Sequence, residues 1–158
     1  MHTGSGSKLN ATYPCSERSQ SQSSRVREPD IYGSETLADV EASLVAWGKD
    51  NGVSFELRQS NHEGDLIDWL HEARDEADAV ILNPGGLTHS SVSLADAVSA
   101  LEKPVIEVHL SNIFAREAFR AHSTISRVAA GVITGLGTTG YLLAAQALAA
   151  QLFKQEEG

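Results

Sequence analysis

Two side chains that can act as general acids or bases, Glu107 and His109, lie within the segment 104–112. The residues around them are mostly apolar, which predicts a buried strand. Side chains two apart on a strand point the same way, so we expect Glu107 and His109 to be neighbours. A carboxylate beside an imidazole fixes the ring's tautomer and stabilises its protonated form, as a general acid requires. The alternative is a polar strand end with a solvated histidine.

Other polar side chains come directly after predicted strands. Asn83 follows the apolar run 79–82, His89 follows the break at Pro84, and Ser111 follows His109 by two residues. In parallel α/β sheets, ligands bind beyond the carboxyl ends of the strands. These positions therefore predict a single binding site at one edge of a sheet.

Strands and helices alternate from about Val26 onward. Hydrophobic periodicity predicts strands at 53–59, 79–82, 104–109 and 132–133, and helices at 36–49, 63–76, 91–101 and 141–153. Thr36 with Asp39 three residues later is typical of a capping box at the start of the first helix. This order predicts an α/β fold, a doubly wound parallel sheet with helices on both faces.

Composition narrows the class of protein. The chain has 158 residues, a net charge of −9 and one cysteine, Cys15. That length fits one domain, and the negative charge without a basic run argues against nucleic-acid binding. The lone cysteine excludes an intramolecular disulfide framework, and no apolar stretch is long enough to span a membrane. We therefore expect a soluble cytoplasmic domain without a metal site.

The first 25 residues do not fit this pattern. A sheet of this kind begins with an apolar strand at its centre, but residues 1–25 contain no such run, and residues 16–25 are almost entirely polar. We predict that the first strand is absent or degraded and that the chain consequently folds poorly. The predicted organisation is a disordered segment at 1–25, a domain at 26–154 and a tail at 155–158.

Four motifs occur in order along the chain. They are Arg27-Glu28-Pro29-Asp30-Ile31-Tyr32-Gly33, Gln59-Ser60-Asn61-His62-Glu63-Gly64, Asn83-Pro84-Gly85-Gly86-Leu87-Thr88-His89 and Glu107-Val108-His109-Leu110-Ser111-Asn112. Together they are similar to the motifs of type II 3-dehydroquinate dehydratase, a flavodoxin-like enzyme of the shikimate pathway. The resemblance covers residues 26 to about 153.

The resemblance implies a hydro-lyase of aromatic amino acid biosynthesis that converts 3-dehydroquinate to 3-dehydroshikimate through an enolate, with no cofactor. Tyr32 matches the base, and Arg27 would favour its phenolate, since a free phenol has a pKa of about 10. His109 matches the proton donor, held by Glu107. Family members assemble as trimers grouped into dodecamers. Substrate-binding positions match Asn83, His89, Asp96, Leu110, Ser111 and Arg120.

The chain departs from the family in its first 25 residues. The family has the peptide L-N-G-P-N-L-N-L-L-G just before the arginine matched by Arg27, and Gln20 replaces an asparagine there. Synonymous codons exist for residues 11–25 that, read one base later, encode R-R-I-L-V-L-N-G-P-N-L-N-L-L-G. We therefore hypothesise a reading-frame error, which the nucleotide sequence upstream of Val26 tests.

The sequence leaves two other functions open. One is a catalytically silent remnant that binds a ring carboxylate or a partner. The other is a flavodoxin-like nucleotide or flavin binder, which is disfavoured because the turn at 84–89 supplies a histidine where a phosphate would need a cradle of backbone N–H groups.

Overall fold

The structure is a computed structural model that describes residues 6–13 and 35–156. The described strands are β1 (Ser7–Tyr13), β2 (Val53–Gln59), β3 (Ala79–Leu82), β4 (Val105–His109) and β5 (Gly131–Thr134), and the described α-helices are α1 (Leu37–Asn51), α2 (Glu63–Glu76), α3 (Val92–Leu101) and α4 (Thr139–Glu156). These strands form one parallel sheet in the order β2-β1-β3-β4-β5. Short 3-10 turns lie at Gly85–His89, Ile113–Ala115 and Ala118–Ala121.

The start of α1 follows from its sequence. The Thr36 hydroxyl accepts a hydrogen bond from the Asp39 backbone N–H at 3.3 Å, and the Thr36 N–H donates to the Asp39 carboxylate at 2.6 Å. These two bonds satisfy N–H groups that have no partner within the helix. The predicted capping box is confirmed. At the other end, Gly52 has a φ of 69°, the left-handed conformation that ends many helices.

The core has two layers because side chains on each strand alternate between the faces of the sheet. Ile81 and Val108 pack with residues of α1 and α4 on one face. Val80 and Leu82 pack with residues of α2 and α3 on the other face. The predicted doubly wound α/β fold, with helices on both faces, is confirmed.

The prediction that the first strand is absent is wrong, because β1 lies between β2 and β3. Leu9 pairs with Phe55 of β2 and with Ala79 of β3. Backbone pairing does not depend on side-chain type, and Leu9 and Ala11 fill one face of this strand without any solvent exposure. β1 is thus an interior strand, paired on both edges, with Leu9 and Ala11 packed into one core layer.

The other face of β1 is polar, and in this sense the strand is degraded. Asn10 and Thr12 are buried beside Val80 and Leu82 of the apolar layer under α2 and α3. Asn10 Oδ1 and Thr12 Oγ1 have no hydrogen-bond partner among the described residues. Burying an unpaired polar atom is unfavourable, so β1 is a weak point of the sheet.

Within the part of the chain that the structure describes, none of α1 to α4 is both long enough and apolar enough to pass through a membrane.

Candidate active site

The carboxyl ends of β3 and β4 bring together residues that are far apart in the sequence. Leu82 at the end of β3 is paired with Glu107 of β4. Asn83 and the 3-10 turn Gly85–His89 follow β3, while Leu110 and Ser111 follow β4. The predicted clustering of polar groups at one edge of the sheet is therefore present, at the place where α/β sheets bind ligands.

Glu107 and His109 form a buried pair on one face of β4. His109 Nε2 lies 2.9 Å from Glu107 Oε1. Glu107 has no solvent exposure and His109 is 5% exposed, while Val108 between them faces the opposite core layer. The predicted adjacency is confirmed, and the alternative of a solvated histidine at a strand end does not fit this burial.

Three hydroxyl groups also contact the Glu107 carboxylate. Ser123 Oγ donates to Oε1 at 2.9 Å, Thr88 Oγ1 donates to the same oxygen, and Ser126 Oγ donates to Oε2. Burial alone would raise the pKa of Glu107, but the hydrogen bonds from His109, Ser126 and Thr88 and the charge of His109 outweigh it and hold the pKa below its ordinary value. Glu107 is thus an anion at neutral pH.

The Glu107–His109 pair is suited to donating a proton to another molecule. Because the His109 ring donates Nε2–H to the carboxylate, Nδ1 is the nitrogen left to act on another molecule. Among the described residues, no hydrogen bond to Nδ1 occurs. An imidazolium held in this way can donate its Nδ1 proton while the anion behind it keeps the ring in place.

Asn83 lies in the interior of the site. It is fully buried, its Nδ2 donates to Tyr141 Oη at 2.8 Å, and its Oδ1 accepts from the Gly85 N–H at 3.1 Å. The side chain therefore supports the turn that carries Thr88 and His89. Direct contact of Asn83 with a substrate stays a prediction.

His89 lies at the end of the 3-10 turn after β3 and is half-buried. Its Nδ1 donates to the His122 backbone carbonyl at 2.8 Å, and its ring meets Phe119 edge-on with the ring centroids 6.0 Å apart. The carbonyl fixes the tautomer with the proton on Nδ1, which leaves Nε2 as an acceptor. The guanidinium of Arg120 lies 5.1 Å from the Phe119 ring centroid, so His89, Phe119 and Arg120 form one continuous cluster.

The turn after β5 holds the residues that follow β4. Gly135 N–H donates to the His109 carbonyl at 3.2 Å, and Gly137 N–H donates to the Leu110 carbonyl at 3.0 Å. Thr134 Oγ1 donates to the Ser111 carbonyl at 2.9 Å. Gly135 has a φ of 86°, and a Cβ there would lie 3.1 Å from Asn112 Cβ, so a side chain would be strained at this close approach.

The remaining predicted site residues lie outside the described residues or make no described contact with Glu107 or His109. Arg120 is bound to Glu117, with Nε 2.7 Å from Oε2, and Asp96 is exposed on α3. Tyr32 and Arg27 lie outside the described residues, as does Gln20.

Sequence reasoning missed three residues of this site, the hydroxyls of Thr88, Ser123 and Ser126. Thr88 lies inside a recognised motif next to His89, and that proximity was an available signal. Ser123 and Ser126 lie in a loop without periodicity, where serine is the ordinary residue. Only the fold brings this loop onto Glu107.

A parallel doubly wound sheet that carries a buried carboxylate–imidazole pair at its carboxyl edge defines an α/β protein with a site suited to proton transfer. The family model described as dehydroquinase class II matches residues 23–149. The chain belongs to the class II dehydroquinase family.

Known proteins of the family are similar in sequence. The 3-dehydroquinate dehydratase 1 of Agrobacterium fabrum is 54% identical over 122 residues, which cover 77% of this chain and 84% of the relative. The 3-dehydroquinate dehydratase of Pelotomaculum thermopropionicum is 56% identical over 124 residues, which cover 78% of this chain and 86% of the relative.

Solved structures agree with the family assignment. The type II dehydroquinase from Butyrivibrio crossotus superposes with a TM-score of 0.82 at 34% identity and covers 92% of this chain and 99% of its own. The type II dehydroquinase from Propionibacterium acnes gives a TM-score of 0.78 at 34% identity, covering 91% and 98%. The structural matches cover more of this chain than the sequence matches, which agrees with a β1 strand that keeps its place although its sequence departs from the family.

Proposed function

We propose that this chain catalyses the dehydration of 3-dehydroquinate to 3-dehydroshikimate, as a hydro-lyase of the shikimate pathway. The observation that carries the proposal is the buried Glu107–His109 pair, with Nε2 2.9 Å from Oε1, at the carboxyl edge of the sheet in a member of this family. The reaction needs a proton donor for a hydroxyl that leaves as water, and His109 is suited to that role.

The proposed reaction has two proton transfers. Tyr32, as phenolate, removes a proton beside the ketone, and the electron pair of that C–H bond forms an enolate. When the enolate collapses, the C–O bond to the hydroxyl breaks and His109 gives that oxygen a proton, so that water leaves. Glu107 keeps the imidazolium oriented, and Arg27 favours the phenolate. The roles of Tyr32 and Arg27 rest on the motif resemblance, since both lie outside the described residues.

Substrate binding is proposed for residues around the His89 cluster. Arg120 would grip the ring carboxylate with a two-pronged hydrogen bond and would share its guanidinium with Glu117 or release it. His89 Nε2 is available as an acceptor for a ring hydroxyl. The other proposed contacts are Asn83, Asp96, Leu110 and Ser111.

The quaternary structure and the cellular location are proposed without support from contacts within the chain. The family resemblance supports a homo-dodecamer built from trimers, and the composition supports the cytoplasm. Light scattering coupled to size-exclusion chromatography of the full chain measures the mass of the assembly. The mass of a monomer at micromolar concentration would contradict the proposed dodecamer.

The direct test is an assay of the purified full chain with 3-dehydroquinate, in which the enone product is followed by its near-ultraviolet absorbance. We expect turnover for the wild type, loss of turnover in His109→Ala and Tyr32→Phe, and wild-type rates in His71→Ala, an exposed histidine of α2. Binding measured by calorimetry separates the silent remnant from the enzyme. A folded chain that binds the substrate without converting it would overturn the proposal.

A further inference from the structure

The Glu107 carboxylate has more donors than the pair with His109 requires. Oε1 accepts from His109 Nε2 and Ser123 Oγ, each at 2.9 Å, and also from Thr88 Oγ1. Oε2 accepts from Ser126 Oγ. We call Thr88, Ser123 and Ser126 the hydroxyl cradle. A fully buried anion depends on such donors, because burial penalises its charge.

The hydroxyl cradle is held in place by other contacts. Ser123 Oγ accepts the backbone N–H groups of Ile125 at 3.1 Å and Ser126 at 2.9 Å. Since both bonds use its acceptor capacity, the single hydroxyl proton of Ser123 is directed away from them, toward Glu107 Oε1 at 2.9 Å and the more distant Thr88 Oγ1 at 3.3 Å. The orientation of this donor is therefore fixed by the loop backbone.

Thr124 joins the two segments that supply the hydroxyl cradle. Its Oγ1 donates to the backbone carbonyls of Thr88 at 3.1 Å and Ser91 at 3.0 Å, and its N–H donates to the Thr88 carbonyl at 2.8 Å. The loop after the turn Ala118–Ala121 is thus bound to the turn after β3. The three hydroxyls reach Glu107 from two segments that cannot move independently.

The charged surroundings of Glu107 are simple. His109 is the titratable group that contacts it among the described residues. On the turn after β3, His89 is bound to the His122 carbonyl, and on the loop, Arg120 is bound to Glu117. The hydroxyl cradle therefore supplies the neutral donors that complete the hydrogen bonding of this anion.

We propose that Thr88, Ser123 and Ser126 are positioning residues for the dehydration, which act by keeping Glu107 ionised and fixed so that the proton stays on His109. Without these donors, the carboxylate competes with the imidazole for the shared proton, and a neutral His109 cannot protonate the leaving hydroxyl. The inference rests on the proposed function for its kinetic consequences.

The kinetic test compares Ser126→Ala and Thr88→Val with Thr88→Ser, which keeps a hydroxyl, and with Ser99→Ala, an exposed serine of α3. We expect kcat to fall about 10-fold or more in the first two variants, with KM changed less than about twofold. The acidic limb of kcat against pH should move to higher pH, because Glu107 then takes up its proton earlier. Thr88→Ser and Ser99→Ala should keep the wild-type profile.

If Ser126→Ala and Thr88→Val are folded and melt at lower temperatures, but the acidic limb of their kcat–pH profiles does not move, the hydroxyls have a structural role only. That result would overturn the inference. A second measurement needs neither activity nor a stable variant of the hydroxyl cradle. Nuclear magnetic resonance of wild-type protein labelled at the glutamate carboxyl carbon, with Glu107→Gln for assignment, follows the titration of Glu107 directly. Titration at or above the ordinary glutamate range would overturn the inference, whereas absence of turnover alone would count against the proposed function.

Discussion

Asn83 and Tyr141, 58 residues apart in the chain, are joined by a hydrogen bond of 2.8 Å between two fully buried side chains. Asn83 directly follows β3, and Tyr141 lies in the first turn of α4, in the core layer that contains Ile81 and Val108. The bond therefore connects the floor of the candidate active site with the last helix. Both side chains are shielded from solvent.

The first prediction concerns this bond. Tyr141→Phe removes the hydroxyl and leaves the buried Asn83 amide with an unmet donor, which should lower the free energy of unfolding by about 1–3 kcal/mol. Urea denaturation measures the change. In a double-mutant cycle with Asn83→Ala, the two losses should not add, because either substitution alone breaks the same bond. Strict additivity would contradict the structural role given to this pair.

The second prediction is a pH dependence of stability that belongs to Glu107. Its pKa in the folded protein lies below the ordinary value of 4.5, so between these two values the unfolded chain binds more protons than the folded one. This contribution to stability is complete above pH 4.5 and is lost as the pH falls toward the folded pKa.

Urea denaturation at several pH values between 3 and 7 would reveal this loss. Glu107→Gln should flatten the acidic part of the curve, and Glu41→Gln, an exposed position of α1, should leave it unchanged. Glu107→Ala should also cost about 3–5 kcal/mol near neutral pH, because it strands the donors that face the carboxylate. A curve that Glu107→Gln does not alter would contradict the assignment.

The third prediction concerns the polar face of β1. Asn10→Leu and Thr12→Val each remove a buried polar atom without a partner among the described residues, and each should raise the free energy of unfolding by about 1–3 kcal/mol. Thr124→Val makes the same chemical change where the hydroxyl donates to two carbonyls, and it should be destabilising. Equal signs for Thr12→Val and Thr124→Val would refute this account of β1.

The helices and most strands follow from the sequence, because their signals are local. Thr36 and Asp39 mark the start of α1, and the run 79–82 is apolar enough to identify a strand covered on both faces. The interior strand β1 was missed for a physical reason. It is held by backbone pairing with β2 and β3, and such pairing leaves no mark in its own side chains.

The candidate site likewise contains residues that the sequence predicts and residues that only the fold reveals. Glu107 and His109 are two residues apart on one strand, so the sequence alone places them together. Thr88 and Ser123 reach the same carboxylate from positions 35 residues apart, which a loop without periodicity does not reveal. Local spacing predicts the chemical pair, and only the tertiary fold shows what surrounds it.

The last prediction concerns the binding of the substrate carboxylate. Arg120 Nε lies 2.7 Å from Glu117 Oε2, and Arg116 Nε lies 3.8 Å from the same oxygen. The pKa of Glu117 is held below its ordinary value by a hydrogen bond from its own backbone and by Arg120, so it competes as an anion with an anionic substrate for this guanidinium. In Glu117→Gln, KM should fall by about two- to fivefold with little change in kcat, since exposed ion pairs are weak.

Arg120→Lys should raise KM, because an ammonium group lacks the planar fork of a guanidinium. Steady-state kinetics at low and moderate salt measure both effects, with Glu41→Gln as the charge-matched control. A rise in KM for Glu117→Gln would mean that Glu117 orients Arg120 toward the substrate and does not compete with it.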